Sequence, residues 1–254
     1  MTAETAGATA LSINPHSRLD AYCAATTFDK PTLVLDVDLV EQQYHALKAG
    51  LGHADIHYAV KANPAEEIIS RLVKLGSHFD AASKAEIALC LKHGANPDDV
   101  SFGNTVKRSS DIAWAHEEGI TLFSADAEQE LEKIAVSAPN AKVYIRLIVE
   151  VSQADWPLSR KFGCDSATAI RLLSYAKSLG LDPIGFSFHV GSQTRKAAMW
   201  GPSLDALAEI WHTAKKAGHN LTLLNIGGGF PAFYGETIEA PTEYAAAVME
   251  QIIS

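Results

Sequence analysis

The stretch Tyr58-Ala59-Val60-Lys61-Ala62-Asn63 places a lysine directly behind a short apolar run. With Ile56, the residues Tyr58 and Val60 read as a buried strand, so Lys61 is expected where that strand meets the next loop. A desolvated ammonium is disfavoured, and desolvation lowers its pKa. A partly neutral amine at such a place is a nucleophile for aldehydes and ketones. The same position also suits a lysine that snorkels off the strand end into water. Other residues bear on that choice.

Asn225-Ile226-Gly227-Gly228-Gly229-Phe230-Pro231 carries three consecutive glycines behind an apolar run. Without Cβ atoms, their N–H groups are open and φ can turn positive, which is the geometry of an anion-cradling nest. A plain flexible turn is the alternative. The spacing is neither a Walker nor a dinucleotide fingerprint. In Gly185-Phe186-Ser187-Phe188-His189-Val190-Gly191-Ser192-Gln193, the phenylalanines alternate with Ser187 and His189, so His189 faces away from them. A lone histidine of this kind is commonly a hydrogen-bonded core residue; beside an amine and a phosphate loop, its ring can stack on a flat aromatic cofactor. Ser192 adds a hydroxyl and an N–H for phosphate oxygens. Phe79-Asp80-Ala81 and Tyr144-Ile145-Arg146 supply a carboxylate and a guanidinium near strand ends. An Asp80–Arg146 pair there is as consistent with a structural role as with a functional one. An amine-reactive aldehyde, a phosphate and a flat aromatic ring together describe pyridoxal 5′-phosphate.

The elements that must position these residues alternate along the chain. Thr32–Val37 is β-rich, and Asp38 is expected to cap a helix to about Gly50, with Val40, Tyr44 and Leu47 as its buried stripe. Strands are expected at 56–60, 78–80, 100–103, 121–124, 142–149, 184–190 and 221–226. Helices are expected at 65–75, 83–93, 110–118, 127–136, 167–179, 203–217 and from Thr242. Glycines stop several of them: Gly76, Gly94, Gly119, Gly180 and Gly218. This alternation implies parallel strands with right-handed crossovers. About seven strands are legible where a closed (β/α)8 barrel has eight, and an open doubly wound sheet is the alternative on pattern alone. Lys61, Asp80, Asn104, His189 and the glycine triplet all fall at carboxyl ends of different strands. A barrel gathers those ends on one face, whereas an open sheet concentrates its site at one switch point. The expectation is therefore an α/β TIM barrel, incomplete at its C-terminal end, over residues 31–254, with residues 1–30 as a lead-in. The glycine triplet then follows strand seven, where barrels often bind phosphate.

The chain has 254 residues, 47% hydrophobic and 20% charged, with a net charge of −9. No Lys/Arg-rich run speaks for nucleic acid. Three widely spaced cysteines, Cys23, Cys90 and Cys164, form neither a disulfide framework nor a metal pattern. No apolar run reaches membrane-spanning length and no signal peptide is legible. A cytoplasmic, reduced, soluble protein is expected.

Five motifs, in order, resemble the ornithine decarboxylase group of fold-type III, alanine-racemase-like pyridoxal-phosphate enzymes: Tyr58 to Pro64, Phe79 to Ile87, Lys161-Phe162-Gly163, Ser187 to Ser192, and Ile226 to Pro231. The Trp156-Pro157-Leu158-Ser159-Arg160 segment and the Phe-Pro end of the glycine loop are similar to ornithine and lysine/ornithine decarboxylases; diaminopimelate decarboxylases and racemases resemble the chain less well. The resemblance implies decarboxylation of a basic amino acid, L-ornithine to putrescine, with lysine also possible. It implies Lys61 as the Schiff-base lysine and His189 under the pyridine ring. Ser192 with Gly227, Gly228 and Gly229 would hold the phosphate. Asp80 and Arg146 would form polar support, and Lys161 would lie at a homodimer interface. The family's Glu-Pro-Gly-Arg-type motif and β-domain are not found, and Cys164 does not match the family's catalytic cysteine. A fragment of a longer protein, with little turnover on its own, is expected. A non-catalytic relative of the antizyme-inhibitor kind, or a diaminopimelate or arginine decarboxylase, is the alternative reading.

Overall fold

The computed structural model describes residues 15–148, 161–235 and 237–253. Helix α1 (Pro15–Ala25) precedes α2 (Val37–Leu51), and seven strand-and-helix units follow. These are β1 (His57–Ala59) and α3 (Glu66–Lys74); β2 (His78–Ala81) and α4 (Lys84–Lys92); β3 (Val100–Phe102) and α5 (Ser109–Glu117); β4 (Leu122–Ala125) and α6 (Glu128–Ser137). Then come β5 (Lys142–Arg146) and α7 (Ser166–Ser178); β6 (Asp182–Ser187) and α8 (Gly201–Lys216); β7 (Leu223–Asn225) and α9 (Pro241–Ile253).

All seven strands are parallel and lie in chain order, β1 to β7. A doubly wound sheet reverses its strand order part-way, so the sequential order excludes it. The sheet is a curled, incomplete barrel.

Side chains alternate across the sheet as the two-residue period demands. Phe79, Phe102, Phe123, Ile145 and Phe186 are fully buried on one face. Phe186 meets Trp211 of α8 at 6.4 Å, which marks this as the helix-facing side. Each such side chain contributes about 1.5–3 kcal/mol by leaving water. The opposite positions, Asp80, Ser101, Ser124, Tyr144, Arg146 and Ser187, line the concave side. In register, Asp80 pairs with Ser101, Ser124 with Tyr144, and Arg146 with Ser187.

The helix layer closes where the sheet does not. α9 packs against α2, and Thr242 Oγ1 donates to the Ala46 carbonyl at 2.8 Å. The contact is tight enough that a Cβ on Gly50 would overlap the Thr242 carbonyl oxygen and lie 2.7 Å from Ala245 Cβ.

Four expectations are corrected. The N-cap of α2 is Asp36, whose Oδ1 accepts from Asp38 N at 3.1 Å and Leu39 N at 3.3 Å; Asp38 is already inside the first turn. Thr32–Val37 forms no strand: its β-branched residues have no neighbouring strand to pair with, and propensity alone does not make a ladder. Pro15–Ala25 is a helix within the expected lead-in, while residues 1–14 lie outside those described. The strand expected over 142–149 ends at Arg146, and the Trp156–Arg160 segment lies outside the described residues. Ser83 caps α4 as expected, its hydroxyl accepting from Glu86 N at 3.3 Å.

Candidate cofactor site

Lys61 sits in a single 3₁₀ turn (Val60–Ala62) directly behind β1. Val60 anchors the turn at 0% exposure, and Tyr58 OH closes it by donating to the Asn63 carbonyl at 3.1 Å. The Lys61 residue is exposed. Of the two placements the sequence leaves open, the solvent-facing one is seen, because the turn lifts Lys61 off the strand end and onto the rim.

Asp80 lies on the concave face of β2. Burial raises its pKa, while the Lys61 ammonium, the Ser101 hydroxyl and the Arg146 guanidinium oppose that rise. Ser101 Oγ donates to Asp80 Oδ1 at 3.2 Å. Arg146, at the end of β5, places its guanidinium 5.3 Å from the Phe162 ring centroid, and Lys161 Nζ lies 5.1 Å from the same centroid. Tyr144 is 2% exposed, its phenol pushed up by burial and then by Asp80.

His189 follows β6. Burial holds its pKa down to about 4, with the Arg146 and Lys61 charges adding to the effect. The Gly191 N–H donates to His189 Nδ1 at 2.9 Å, which leaves the proton of the neutral ring on Nε2. Lys61 therefore acts on both Asp80 and His189, and Arg146 does the same. The structure brings the four together, although Lys61 follows the first strand and His189 the sixth. Only curling of the sheet achieves this.

Two loops meet beside this cluster. A Cβ on Gly227 would overlap the Phe188 carbonyl oxygen, and one on Gly229 the Gly191 carbonyl oxygen. A Cβ on Gly228 would lie 3.6 Å from His189 Nε2. The Gly227 N–H is committed to Asn225 Oδ1 at 2.8 Å, so Gly227 shapes the turn. Thr194 N donates to the Gly229 carbonyl at 2.8 Å. Gln193 spans the loops, its Oε1 accepting from Ala232 N at 2.7 Å from a left-handed φ of 56°. Ser192 is exposed between them.

The sequence did not single out Ser101, Gly103, Tyr144 or the bridging side chain of Gln193 as site residues. A polar Ser101 inside the apolar Val100–Phe102 triplet was a usable signal; the others depend on strand register. Among the described residues there is no group of three or more His, Cys, Asp or Glu that could hold a metal, and no helix long and apolar enough to cross a membrane.

The residues fit pyridoxal phosphate: an amine on the rim, a neutral flat ring with a hydrogen-bonded Nδ1, and a glycine turn whose missing side chains let backbone approach backbone. The comparisons agree. The family model described as "Pyridoxal-dependent decarboxylase, pyridoxal binding domain" matches residues 37–254. A lysine/ornithine decarboxylase from Selenomonas ruminantium is 37% identical over 215 residues, covering 85% of this chain and 55% of the relative. Antizyme inhibitor 2 from Xenopus laevis is 37% identical over 194 residues, covering 76% and 42%. A solved structure of SrLDC in complex with PLP and cadaverine superposes with a TM-score of 0.84 at 33% identity, covering 93% of this chain and 60% of that one. The chain thus spans about half the length of the curated relatives it matches.

Proposed function

The chain belongs to the pyridoxal-dependent decarboxylase family, and from that premise we propose that it is the cofactor-binding part of an enzyme that decarboxylates L-ornithine to putrescine, with lysine also accepted. One observation carries this reading: the His189 ring lies against the glycine loop, 3.6 Å from where a Cβ on Gly228 would sit, and the Lys61 and Arg146 charges reach both His189 and Asp80. The lysine/ornithine decarboxylase relative and the cadaverine complex support a basic substrate.

When bound, pyridoxal phosphate would supply the electron sink for the pair left on the substrate's α-carbon as its carboxylate departs as CO2. Lys61 provides the amine that holds the aldehyde. His189, neutral because it is buried between two cations, offers its ring face without adding charge. Ser192, Gly228 and Gly229 hold the phosphate, with Gly227 setting the turn. Asp80 and Arg146 balance the charge around the amine. Residues 31–254 form this unit, residues 1–30 lead into it, and the exposed Lys161 belongs to a homodimer interface. The setting is cytoplasmic, consistent with the three free cysteines.

Borohydride trapping tests the assignment. The chain incubated with pyridoxal phosphate is expected to give a reduced adduct on Lys61 that Lys61→Ala abolishes, and the whole gene product is expected to release CO2 from carboxyl-labelled ornithine. Scattered labelling of surface lysines would refute the site. The likeness to antizyme inhibitor 2 favours a second reading, a non-catalytic regulatory homologue. That reading predicts no CO2 release by the whole protein from ornithine, lysine or arginine.

A further inference from the structure

Gly103, the first residue beyond β3, has no backbone reason to be glycine. Its φ lies outside the left-handed region, unlike Gly94 and Gly119 on either side. Its N–H makes an ordinary bond to the Ala81 carbonyl at 2.8 Å. What occupies the space of a side chain there is Asp80. A Cβ on Gly103 would overlap Asp80 Oδ1 and lie 2.6 Å from its Cγ and 3.0 Å from its Oδ2. The three nearest atoms all belong to that one carboxylate. Ser101, in register with Asp80 and buried, donates to the same Oδ1 at 3.2 Å.

The geometry points to Gly103 as a positioning residue of the Lys61 site: with Ser101 it forms the seat that fixes the Asp80 carboxylate, and through Asp80 the charge facing Lys61 and Arg146. The functional half of this inference rests on the reading of Lys61 as the cofactor's amine. The three atoms closest to a methyl at Gly103 are the far end of one side chain and none is backbone. The carboxyl rotates to another staggered position while the fold survives. A rotated carboxylate sits at new distances from two cations, and in a poorly solvated pocket the interaction energy follows distance steeply.

A double-mutant cycle decides the matter, using Gly103→Ala, Asp80→Ala and the pair. Two readouts are taken on the full chain. The first is the ¹³C resonance of the Asp80 carboxyl in cofactor-free protein, assigned by its loss in Asp80→Ala. The second is the concentration of pyridoxal phosphate that half-saturates borohydride-trapped adduct on Lys61. Gly103→Ala is expected to leave the melting temperature within a few degrees, to move the Asp80 resonance, and to weaken adduct formation about tenfold, a coupling ordinary for contacting residues. In the Asp80→Ala background the same substitution should change adduct formation by less than about twofold. An unmoved Asp80 resonance, or an equal loss in both backgrounds, overturns the proposal. A wild-type chain that forms no Lys61 adduct refutes the cofactor assignment instead, and the Asp80 resonance then decides the seat by itself.

Discussion

The carbonyl oxygen of Gly191 occupies the volume that a Cβ on Gly229 would take, with Val190 Cγ2 only 3.1 Å from the same point. Both residues have left-handed backbones, with φ of 102° at Gly191 and 112° at Gly229. Gly229→Ala therefore meets backbone that cannot rotate away, in a conformation that L residues rarely adopt. The expected loss is about 1–3 kcal/mol of stability, together with weakened retention of pyridoxal phosphate. Urea denaturation and equilibrium binding check it. An unchanged midpoint with unchanged binding would mean that the two loops are not held in contact.

The architecture was legible because the apolar runs and the glycine stops agree with one another. Gly76, Gly94, Gly119, Gly180 and Gly218 all take positive φ just past helix ends, where only glycine does so without strain. The placement of Lys61, Asp80, Arg146 and His189 at strand ends followed from the same reading. What was hidden depends on register and partners. Asp80 and Gly103 touch because β2 and β3 pair with one particular offset, and no local pattern encodes that offset. Thr32–Val37 has strand composition, but composition does not provide the neighbour. Pro15–Ala25 has no apolar stripe to announce a helix. The run before Lys61 puts it at the strand's end and leaves open whether it is desolvated or in water; the 3₁₀ turn that carries it out to the rim is a tertiary outcome.

Lys107 is a buried cation that no local pattern announces. Its side chain is 0% exposed and pairs with Glu130 at 2.9 Å, while Nζ also donates to the Asn104 carbonyl at 2.7 Å and the Ser124 carbonyl at 2.6 Å. Lys133 reaches Glu130 at 2.5 Å from α6. Lys107→Met leaves Glu130 to Lys133 alone and strips the Asn104 and Ser124 carbonyls of their donor, and should cost about 1–3 kcal/mol. Replacing both partners, Lys107→Met with Glu130→Leu, should recover part of that loss. Chemical denaturation of the three variants checks it, and a single variant as stable as wild type would contradict the network.

His57, at the opposite end of the barrel, links stability to pH. Burial, and then the neighbouring His78 ring at 4.8 Å, hold its pKa down to about 4. The ordinary value is about 6.5. Between those values the unfolded chain binds a proton that the folded chain does not, so stability rises with pH across the window and is lost as pH falls from 6.5 towards 4. Up to about 3 kcal/mol is at stake from this one group. His57→Phe should flatten the profile over that window. Asp80, with a raised pKa, acts in the opposite sense, so the wild-type minus variant difference is the quantity to measure. A difference that does not vary with pH would show His57 to be protonated freely in the fold.

Tyr244 connects the closing helix to the cradle. Trp200 Nε1 donates to its hydroxyl at 2.9 Å, and that hydroxyl donates to the Thr194 carbonyl. Thr194 N in turn donates to Gly229 O at 2.8 Å. The ring of Phe230 packs between Trp200 and Tyr244, 5.3 Å and 5.6 Å away. α9 thus grips α2 through Thr242 and the glycine turn through Tyr244, so one helix serves both ring closure and the loop proposed to hold the phosphate. Tyr244→Phe keeps the packing and deletes one buried hydroxyl, stranding a donor on Trp200 and an acceptor on Thr194. The expected cost is about 1–3 kcal/mol of stability. Because the lost bond reaches Gly229 through a single residue, pyridoxal phosphate should also bind several-fold more weakly, while borohydride still maps the adduct to Lys61. Melting temperature and cofactor titration separate the two effects. A lower melting temperature with unchanged affinity would confine Tyr244 to holding the ring closed.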